Sequence, residues 1–266
     1  MTHEHSEFNQ NGYAILPDFL SKNEIGKIHL DIKKIFLTAM SHAGFDNVDL
    51  KTNNSFEEIY SLIMATDPSL KAKVYDIIGK LNSVLQVFAK DKLNEFVSSI
   101  YDAPIVLNSV QVRLDDNSNS HTLPWHQETN QISILTVNVW LPLVDLERNM
   151  GGLEVCPGSH KLGLQKHIEK SNECRFDRLP EAVVDKQKKI KLQPNAGDAL
   201  VFHPFLYHRS IPNSSSKIRL TIAGRLNEIQ SSAYFRAKDA PMLIPRNPNT
   251  AETHFEFIKK FMSKNC

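Results

Sequence analysis

Short β-rich runs separated by turn signals constrain what the second half of this chain can fold into. They follow Pro104 and occupy residues 104–114, 131–141, 152–156, 189–193, 198–203 and 217–226. Glycine, proline and asparagine punctuate them at residues 149–152, 157–158 and 195–198, as tight reversals require. Parallel strands need a crossover of a dozen or more residues, usually a helix, and runs this closely spaced leave no room for such helices. The pattern therefore predicts an antiparallel β-sandwich or barrel.

The residues before these runs show helical patterns instead. Residues 21–24 (Ser-Lys-Asn-Glu) have the form of a capping box, and the flanking Leu20 and Ile25 are placed as a hydrophobic staple. The apolar stripe that follows consists of Ile25, Ile28, Ile32, Ile35 and Phe36. A second helix is predicted to start at residues 67–68 (Asp-Pro), with the apolar stripe Val74, Ile77, Leu81, Val84 and Phe88. Core packing accounts for both stripes, and the polar residues 41–58 between them are predicted as a loop.

Charge and composition exclude several classes of protein. The 266 residues include 31 Lys+Arg and 30 Asp+Glu, for a formal net charge of +1, whereas dedicated nucleic-acid binders normally carry a basic face. No apolar stretch approaches the roughly 18 residues that cross a bilayer, and the polar N-terminus lacks the apolar region of a secretory signal. Three cysteines without CxxC spacing argue against a disulfide framework. We therefore expect a cytoplasmic protein that binds neither nucleic acid nor membrane.

The chain is predicted to form one domain over residues 1–266. Its parts are a mostly helical cover (1–103), a β-barrel core (104–226), and a loop with a C-terminal helix (227–266), the helix running over 252–264. The charged, weakly periodic segment 160–188 is predicted to be an insertion or a lid over one mouth of the barrel.

One histidine and one carboxylate point to metal chemistry. Residues two apart on an extended strand share a face, so His126 and Glu128 project together. A second histidine would complete the two-histidine, one-carboxylate triad that holds non-haem Fe(II) and leaves coordination positions open. Two candidates lie near the end of one apolar strand, His203 and His208, and spacing alone does not choose between them. Arg219 follows, and a buried arginine beside a hydroxyl is a good receptor for a carboxylate.

Four segments resemble the phytanoyl-CoA dioxygenase family of Fe(II)/2-oxoglutarate oxygenases, which includes ectoine hydroxylase. Residues 8–17 look like its N-terminal F-x-x-x-G-Y/F motif, and residues 125–128 (Trp-His-Gln-Glu) look like its W-H-Q-D. Residues 149–161 look like its N-G-x-L-x-x-x-P-G-S-H-K. Residues 197–213 look like its G-D-x-x-x-F-H…H-G-S-x-x-N, with an arginine eleven residues beyond the second histidine. The likeness covers most of the chain and is strongest over 105–226.

The resemblance implies a mainly β fold with a helical cover. The fold is a double-stranded β-helix, a jelly-roll or cupin-like barrel packed by the N-terminal helices. The implied metal ligands are His126, Glu128 and His208, so the resemblance selects His208 over His203. The residues implied to bind 2-oxoglutarate are Arg219, Ser210 and Trp140. Further candidates for contact with substrate or cosubstrate are Gln111, Arg113, Gln127, Thr136 and Asn138. For Thr136 and Asn138 the alternative is that their polar face is the solvated one.

Two residues depart from the family pattern. Glu128 stands where the family usually has aspartate, and its extra methylene moves the metal or the strand. Because a carboxylate is present, a halogenase, in which a small residue frees a position for chloride, is disfavoured. Arg209 replaces a glycine that is common after the metal-ligating histidine, and the sequence assigns it no role. Cys156 is expected to serve packing, since the implied chemistry needs no nucleophile.

The implied activity is that of a 2-oxoglutarate-dependent non-haem iron dioxygenase. It would use Fe(II), 2-oxoglutarate and O2 to hydroxylate an unactivated C–H of a small molecule, with release of succinate and CO2. One alternative is a cupin-like metal enzyme that does not use 2-oxoglutarate, but Arg219 and Ser210 would then have no obvious purpose. Another is a non-catalytic binding protein on the same barrel.

Overall fold

In a computed structural model of the chain, the described residues are 2–42, 44, 56–66, 68–101, 105–117, 122–128, 136–169 and 176–228. The helices are α1 (His3–Asn11), α2 (Lys22–His42), α3 (Phe56–Thr66), α4 (Pro68–Ile78), α5 (Asn82–Phe88), α6 (Asp91–Ser98) and α7 (Glu181–Val184). The strands are β1 (Tyr13–Leu16), β2 (Ile105–Asp115), β3 (Thr136–Pro142), β4 (Gly152–Val155), β5 (Ile190–Leu192), β6 (Ala199–Phe202), β7 (His208–Ile211) and β8 (Arg219–Glu228).

The strands form two antiparallel sheets. The larger has the order β1-β6-β3-β8-β2 and the smaller has the order β5-β4-β7. The antiparallel barrel with a helical cover is thereby confirmed. Since β8 pairs with both β2 and β3, it lies inside the larger sheet and its backbone is fixed on both sides.

One face of the larger sheet is apolar, and the other carries both polar and apolar side chains. Residues of its apolar face join the core formed with the N-terminal helices, among them Val112, Leu114, Val137, Leu141, Leu220 and Ile222. The alternating polar residues of the same strands face the smaller sheet. Thr136 and Asn138 are 0% and 3% exposed, so the polar face of β3 is buried and not solvated. The barrel interior therefore offers hydrogen-bonding groups beside a small apolar cluster, while the larger apolar core lies on the helix-covered face.

The helical predictions need correction in three places. The predicted helix after residue 67 is two helices, because α4 ends at Ile78 and Gly79 packs against the backbone of β2, where a β-carbon would lie 3.1 Å from the Val110 carbonyl oxygen. Ile77 is 49% exposed, so its assignment to the core was wrong. Both ends of the predicted loop 41–58 are helical, since α2 continues through His42 and α3, which was not predicted, begins at Phe56.

Local chemistry explains the features that were predicted correctly. The capping box forms, with Ser21 N donating to Glu24 Oε2 at 2.8 Å and Glu24 N donating to Ser21 Oγ at 3.3 Å. Ile28, Ile32 and Phe36 are buried in the core.

Two short strands, β1 and β7, were not predicted. The sequence placed both candidate histidines on one strand, but β6 ends at Phe202 and His208 starts β7 in the other sheet.

Several predictions fall on residues outside the described ranges. These are the first part of the predicted strand 131–141, most of the loop 41–58 and the C-terminal helix 252–264. The assignment of residues 1–266 to a single domain stays a prediction. Within the described part of the chain, no helix is both long and apolar enough to cross a membrane.

Candidate active site

Two histidines and a glutamate converge between the sheets. Ligand atoms of His126, Glu128 and His208 all lie within 4.8 Å of one another. Glu128 Oε1 is 3.7 Å from His126 Nε2 and 3.5 Å from His208 Nε2. The backbone builds this arrangement, because His126 and His208 exchange two N–H···O bonds of 3.0 and 3.1 Å, and Glu128 N donates to the Pro204 carbonyl at 2.9 Å. The run 125–128 is thus fastened to the start of β7.

Both imidazoles are oriented by backbone carbonyls. His126 Nδ1 lies 2.7 Å from the Pro124 oxygen and His208 Nδ1 lies 2.9 Å from the Leu206 oxygen. A carbonyl oxygen only accepts, so each Nδ1 carries a proton and each Nε2 is left to face Glu128. Burial, followed by the neighbouring His126, lowers the pKa of His208. Two imidazole nitrogens and a carboxylate are the donor set that suits non-haem Fe(II).

His203 lies in a different environment. Its Nδ1 accepts a 3.0 Å bond from Phe205 N, and its ring packs against His160 and Phe205. Burial and the neighbouring His160 lower its pKa to about 3. The structure therefore brings His208, and not His203, to His126 and Glu128.

The second oxygen of Glu128 is held by an arginine that the sequence analysis did not single out. Arg225 Nη2 donates to Glu128 Oε2 at 3.1 Å, and Arg225 Nη1 donates to Ser109 Oγ at 3.2 Å. Burial acts to raise the pKa of Glu128, but the Arg225 guanidinium and the two imidazoles outweigh it and hold that pKa well below its usual range. The carboxylate is therefore ionised, as a metal ligand must be.

Arg219 is anchored at the other end of β8. Its Nη2 donates to Asp115 Oδ2 at 3.1 Å, and its Nη1 donates to the carbonyls of Met150 and Ile211 at 3.0 and 2.9 Å. Gly151 makes room for it, because a β-carbon there would lie 2.3 Å from Arg219 Nη1. Gly151 of the predicted turn 149–152 therefore leaves space for the Arg219 guanidinium, besides allowing the chain to reverse.

All but two of the residues predicted for the site line one pocket between the sheets. The lining residues are His126, Glu128, His208, Arg219, Ser210, Trp140, Gln111, Arg113 and Asn138. Asp115 also lines the pocket, where its Oδ1 accepts a 3.3 Å bond from Arg113 Nη2.

The sequence analysis missed Asp115 and Arg225 as site residues, although the sequence contains a signal for both. Asp115 is two residues after Arg113, and Arg225 is six residues after Arg219, so strand alternation places each on the inward face.

The two remaining candidates bond elsewhere. Gln127 points away from its neighbours His126 and Glu128, and its Nε2 donates to the carbonyls of Gly163 and Phe205 at 3.0 and 2.8 Å. Its Oε1 accepts a 2.8 Å bond from Gln165 N, so Gln127 ties the predicted lid segment to the ligand-bearing turn. Thr136 Oγ1 donates to Asn227 Oδ1 at 3.1 Å.

Arg209 and Cys156, which the sequence analysis did not assign to catalysis, have structural roles. Arg209 lies on the outer side of β7, where its Nε donates to Glu154 Oε2 at 2.6 Å and its guanidinium lies 5.1 Å from the Trp125 ring centroid. Cys156 is buried, and burial raises the pKa of its thiol to about 11, as expected for a packing residue.

Comparison with known proteins assigns this site to a family. The sequence model of phytanoyl-CoA dioxygenase (PhyH) matches residues 8–221. The chain belongs to the phytanoyl-CoA dioxygenase family. It is a 2-oxoglutarate-dependent non-haem iron oxygenase, and its cofactors are Fe(II), 2-oxoglutarate and O2.

Relatives of this family enzyme include a bacterial hydroxylase and a plant dioxygenase. The chain is 26% identical over 247 residues to 1-deoxypentalenic acid 11-beta-hydroxylase of Streptomyces arenae, covering 86% of this chain and 82% of the relative. It is 24% identical over 257 residues to phytanoyl-CoA dioxygenase of Arabidopsis thaliana, covering 87% of this chain and 89% of the relative.

Solved structures show the same fold. The epimerase SnoN, in complex with Fe3+, alpha ketoglutarate and nogalamycin RO, superposes with a TM-score of 0.59 at 13% identity, covering 90% of this chain and 91% of SnoN. EctD from S. alaskensis, with 2-oxoglutarate and 5-hydroxyectoine, superposes with a TM-score of 0.56 at 14% identity, covering 86% of this chain and 76% of EctD.

Proposed function

We propose that this family enzyme hydroxylates an unactivated C–H of a small molecule and converts 2-oxoglutarate and O2 to succinate and CO2. The observation that carries the proposal is the His126, Glu128 and His208 cluster in one pocket with Arg219. We assign the three clustered side chains to Fe(II). When bound, Fe(II) would activate O2, which is the oxidant for C–H cleavage, and the chain's own residues hold the reactants in place.

Arg219 is assigned to the distal carboxylate of 2-oxoglutarate. Its guanidinium lines the pocket, and its buried Nε has no hydrogen-bond partner among the residues that the structure describes. Bonds to Asp115 and two carbonyls fix the plane of the fork before a ligand arrives, which limits the entropy lost on binding. Ser210 is two residues after His208 on β7 and also lines the pocket, so its hydroxyl is assigned to the same carboxylate.

The remaining pocket residues are assigned by position. Trp140 packs with the apolar side chains of Leu153 and Phe202, and we assign it to the wall beside the cosubstrate. Gln111, Arg113 and Asn138 supply polar groups for cosubstrate or substrate, and Asn138 Oδ1 is buried with no partner among the described residues. Gln127 and Thr136 are assigned to the scaffold, because their side chains bond to other parts of the barrel.

An anaerobic titration tests the proposal. Fe(II) and then 2-oxoglutarate are added to metal-free protein, and the visible charge-transfer band of the chelate is recorded. We expect a band in the natural protein and in His203→Ala, and no band in His126→Ala or His208→Ala. His203→Ala is the matched control, since it removes a partly buried imidazole five residues from His208 that is not in the cluster.

Each other outcome contradicts a named part of the proposal. Failure to bind iron would overturn the assignment of the ligands and favour a non-catalytic binding protein. Iron binding without a band would favour a cupin-like enzyme that does not use 2-oxoglutarate. A band followed by no succinate release with any of a panel of small molecules would contradict the proposed turnover.

A further inference from the structure

Resting on the proposed metal assignment, we propose that Arg225 is a positioning residue for Glu128. It holds the outer carboxylate oxygen of Glu128 so that only the inner oxygen faces His126 and His208. On this proposal, Arg225 is what allows a glutamate to serve where the shorter aspartate is usual.

The two oxygens of Glu128 have different partners. Oε1 faces the two Nε2 atoms at 3.7 and 3.5 Å, whereas Oε2 accepts from Arg225 Nη2 at 3.1 Å. A glutamate side chain has one more rotatable bond than aspartate, and its terminal torsion has a broad energy minimum. Without a fixed partner for one oxygen, the carboxylate could turn so that both of its oxygens face His126 and His208. The bond from Arg225 removes that freedom.

Arg225 is itself well anchored. It lies on β8, where it is paired in register with Ser109 of β2 and Asn138 of β3. A register shift between Leu107 and Ser109 brings Ser109 opposite Arg225, and its Oγ accepts from Nη1 at 3.2 Å. The planar fork of arginine thus divides its two ends between Ser109 and Glu128. A lysine ammonium keeps the charge but lacks this fork.

The number of coordination positions gives the contact its functional consequence. A carboxylate binds a metal through one oxygen or through both. Three protein ligand atoms leave an octahedral ion the open positions that the two-histidine, one-carboxylate arrangement provides. A glutamate that bound the metal through both oxygens would fill one of these open coordination positions. By occupying Oε2, Arg225 keeps that position for the cosubstrate or O2.

Mn(II) titration of metal-free protein, followed by electron paramagnetic resonance, tests the proposal without turnover. Arg225→Met frees Oε2 to bind the ion and removes a nearby positive charge, but we expect the lost orientation of the carboxylate to dominate and to weaken Mn(II) binding by about 10–100-fold, the range found for residues that orient metal ligands. We expect Arg225→Lys to recover little of the loss. The matched control is Arg209→Met, which removes an arginine from a carboxylate outside the pocket and should leave Mn(II) affinity unchanged. Thermal unfolding of each metal-free variant checks that it folds.

The Glu128→Asp background separates positioning from a general effect of charge. The shorter aspartate should not reach Arg225 while facing both imidazoles, so adding Arg225→Met to Glu128→Asp should change Mn(II) affinity by less than about threefold. An equal loss in both backgrounds, or unchanged affinity in a folded Arg225→Met protein, would overturn the proposal.

His126→Ala distinguishes failure of the metal assignment from failure of the role proposed for Arg225. If His126→Ala keeps full Mn(II) affinity, the metal assignment fails and this proposal falls with it. If His126→Ala loses binding but Arg225→Met does not, only the role of Arg225 fails.

Discussion

The first and seventh residues of strand β8, Arg219 and Arg225, line the same pocket, but the two arginines are held differently. The Arg219 side chain is 4% exposed and makes three hydrogen bonds, one of them to Asp115. The Arg225 side chain is 18% exposed and makes two, one of them to Glu128. The partners of Arg219 are outside the proposed metal triad, whereas Arg225 is bonded to one of its members.

This difference separates two tasks within one strand. The partners of Arg219 lie outside the proposed metal triad, which suits the fixed dicarboxylate receptor that we propose. The orientation of Arg225 is linked to Glu128, and therefore to the metal on our proposal. Loss of Arg219 should therefore affect cosubstrate binding and stability, while loss of Arg225 should affect metal binding first. A third pair, Arg209 with Glu154 on the outer side of the smaller sheet, is more exposed and provides a reference.

Replacing Arg219 should have the largest effect. Arg219→Met leaves the Asp115 carboxylate buried without its main partner, which should lower the free energy of unfolding by about 3–5 kcal/mol. Charged hydrogen bonds contribute about 1.5–3 kcal/mol each, so losing the fork should weaken 2-oxoglutarate binding by about 100-fold. Fe(II) affinity should change little. Denaturant unfolding measures the first effect, and titration of the charge-transfer band measures the second.

A double variant tests the cause of that instability. Adding Asp115→Asn to Arg219→Met removes the stranded charge and should recover much of the stability, but none of the 2-oxoglutarate affinity. Retention of cosubstrate affinity in the single variant would contradict the assignment of Arg219. Failure of the double variant to recover stability would mean that the bonds to Met150 and Ile211 matter more than the charge.

Crowding the Arg219 guanidinium from behind should have an intermediate effect. Gly151 has φ +83°, which costs other residues about 1–3 kcal/mol, and its β-carbon would displace Arg219. Gly151→Ala should therefore lower both stability and 2-oxoglutarate affinity. Gly158→Ala is the matched control, since Gly158 has φ +79° but its β-carbon would meet only the Gln10 carbonyl at 3.8 Å. Equal cosubstrate affinity in the two variants would show that Gly151 serves the turn alone.

The comparison also shows what the sequence could and could not predict. Regular alternation and local signals were sufficient for most strands, for their antiparallel pairing and for the capping box at residues 21–24. Strand alternation could have placed the second member of each pair on the inward face, but the pairing itself could not be predicted because the partner is remote. Asp115 and Arg219 are 104 residues apart, and Glu128 and Arg225 are 97 apart. No local pattern encodes which remote strand will lie opposite.

The two histidines show the same limit at short range. His203 and His208 are five residues apart, and their spacing fits either role. The chain leaves the larger sheet after Phe202 and enters the smaller one at His208, so only His208 pairs with His126. The resemblance to the family selected His208, and elementary periodicity did not. Arg209, which the sequence left without a role, is explained by its registered cross-strand partner Glu154.

The exposed pair should give the smallest effect and so complete the series. The side chains of Arg209 and Glu154 are 45% and 20% exposed, and their 2.6 Å contact is screened by solvent. Exposed pairs contribute about 0.2–1 kcal/mol, so Arg209→Ala should lower the free energy of unfolding by no more than about 1 kcal/mol. A double-mutant cycle with Glu154→Ala isolates the pair, and its coupling should shrink in about 1 M salt, where the screening length is about 3 Å. The buried coupling between Arg219 and Asp115 should resist the same salt. If both couplings fell equally, the pocket would be as accessible to ions as the outer surface, and the fixed receptor proposed for 2-oxoglutarate would lose its physical basis.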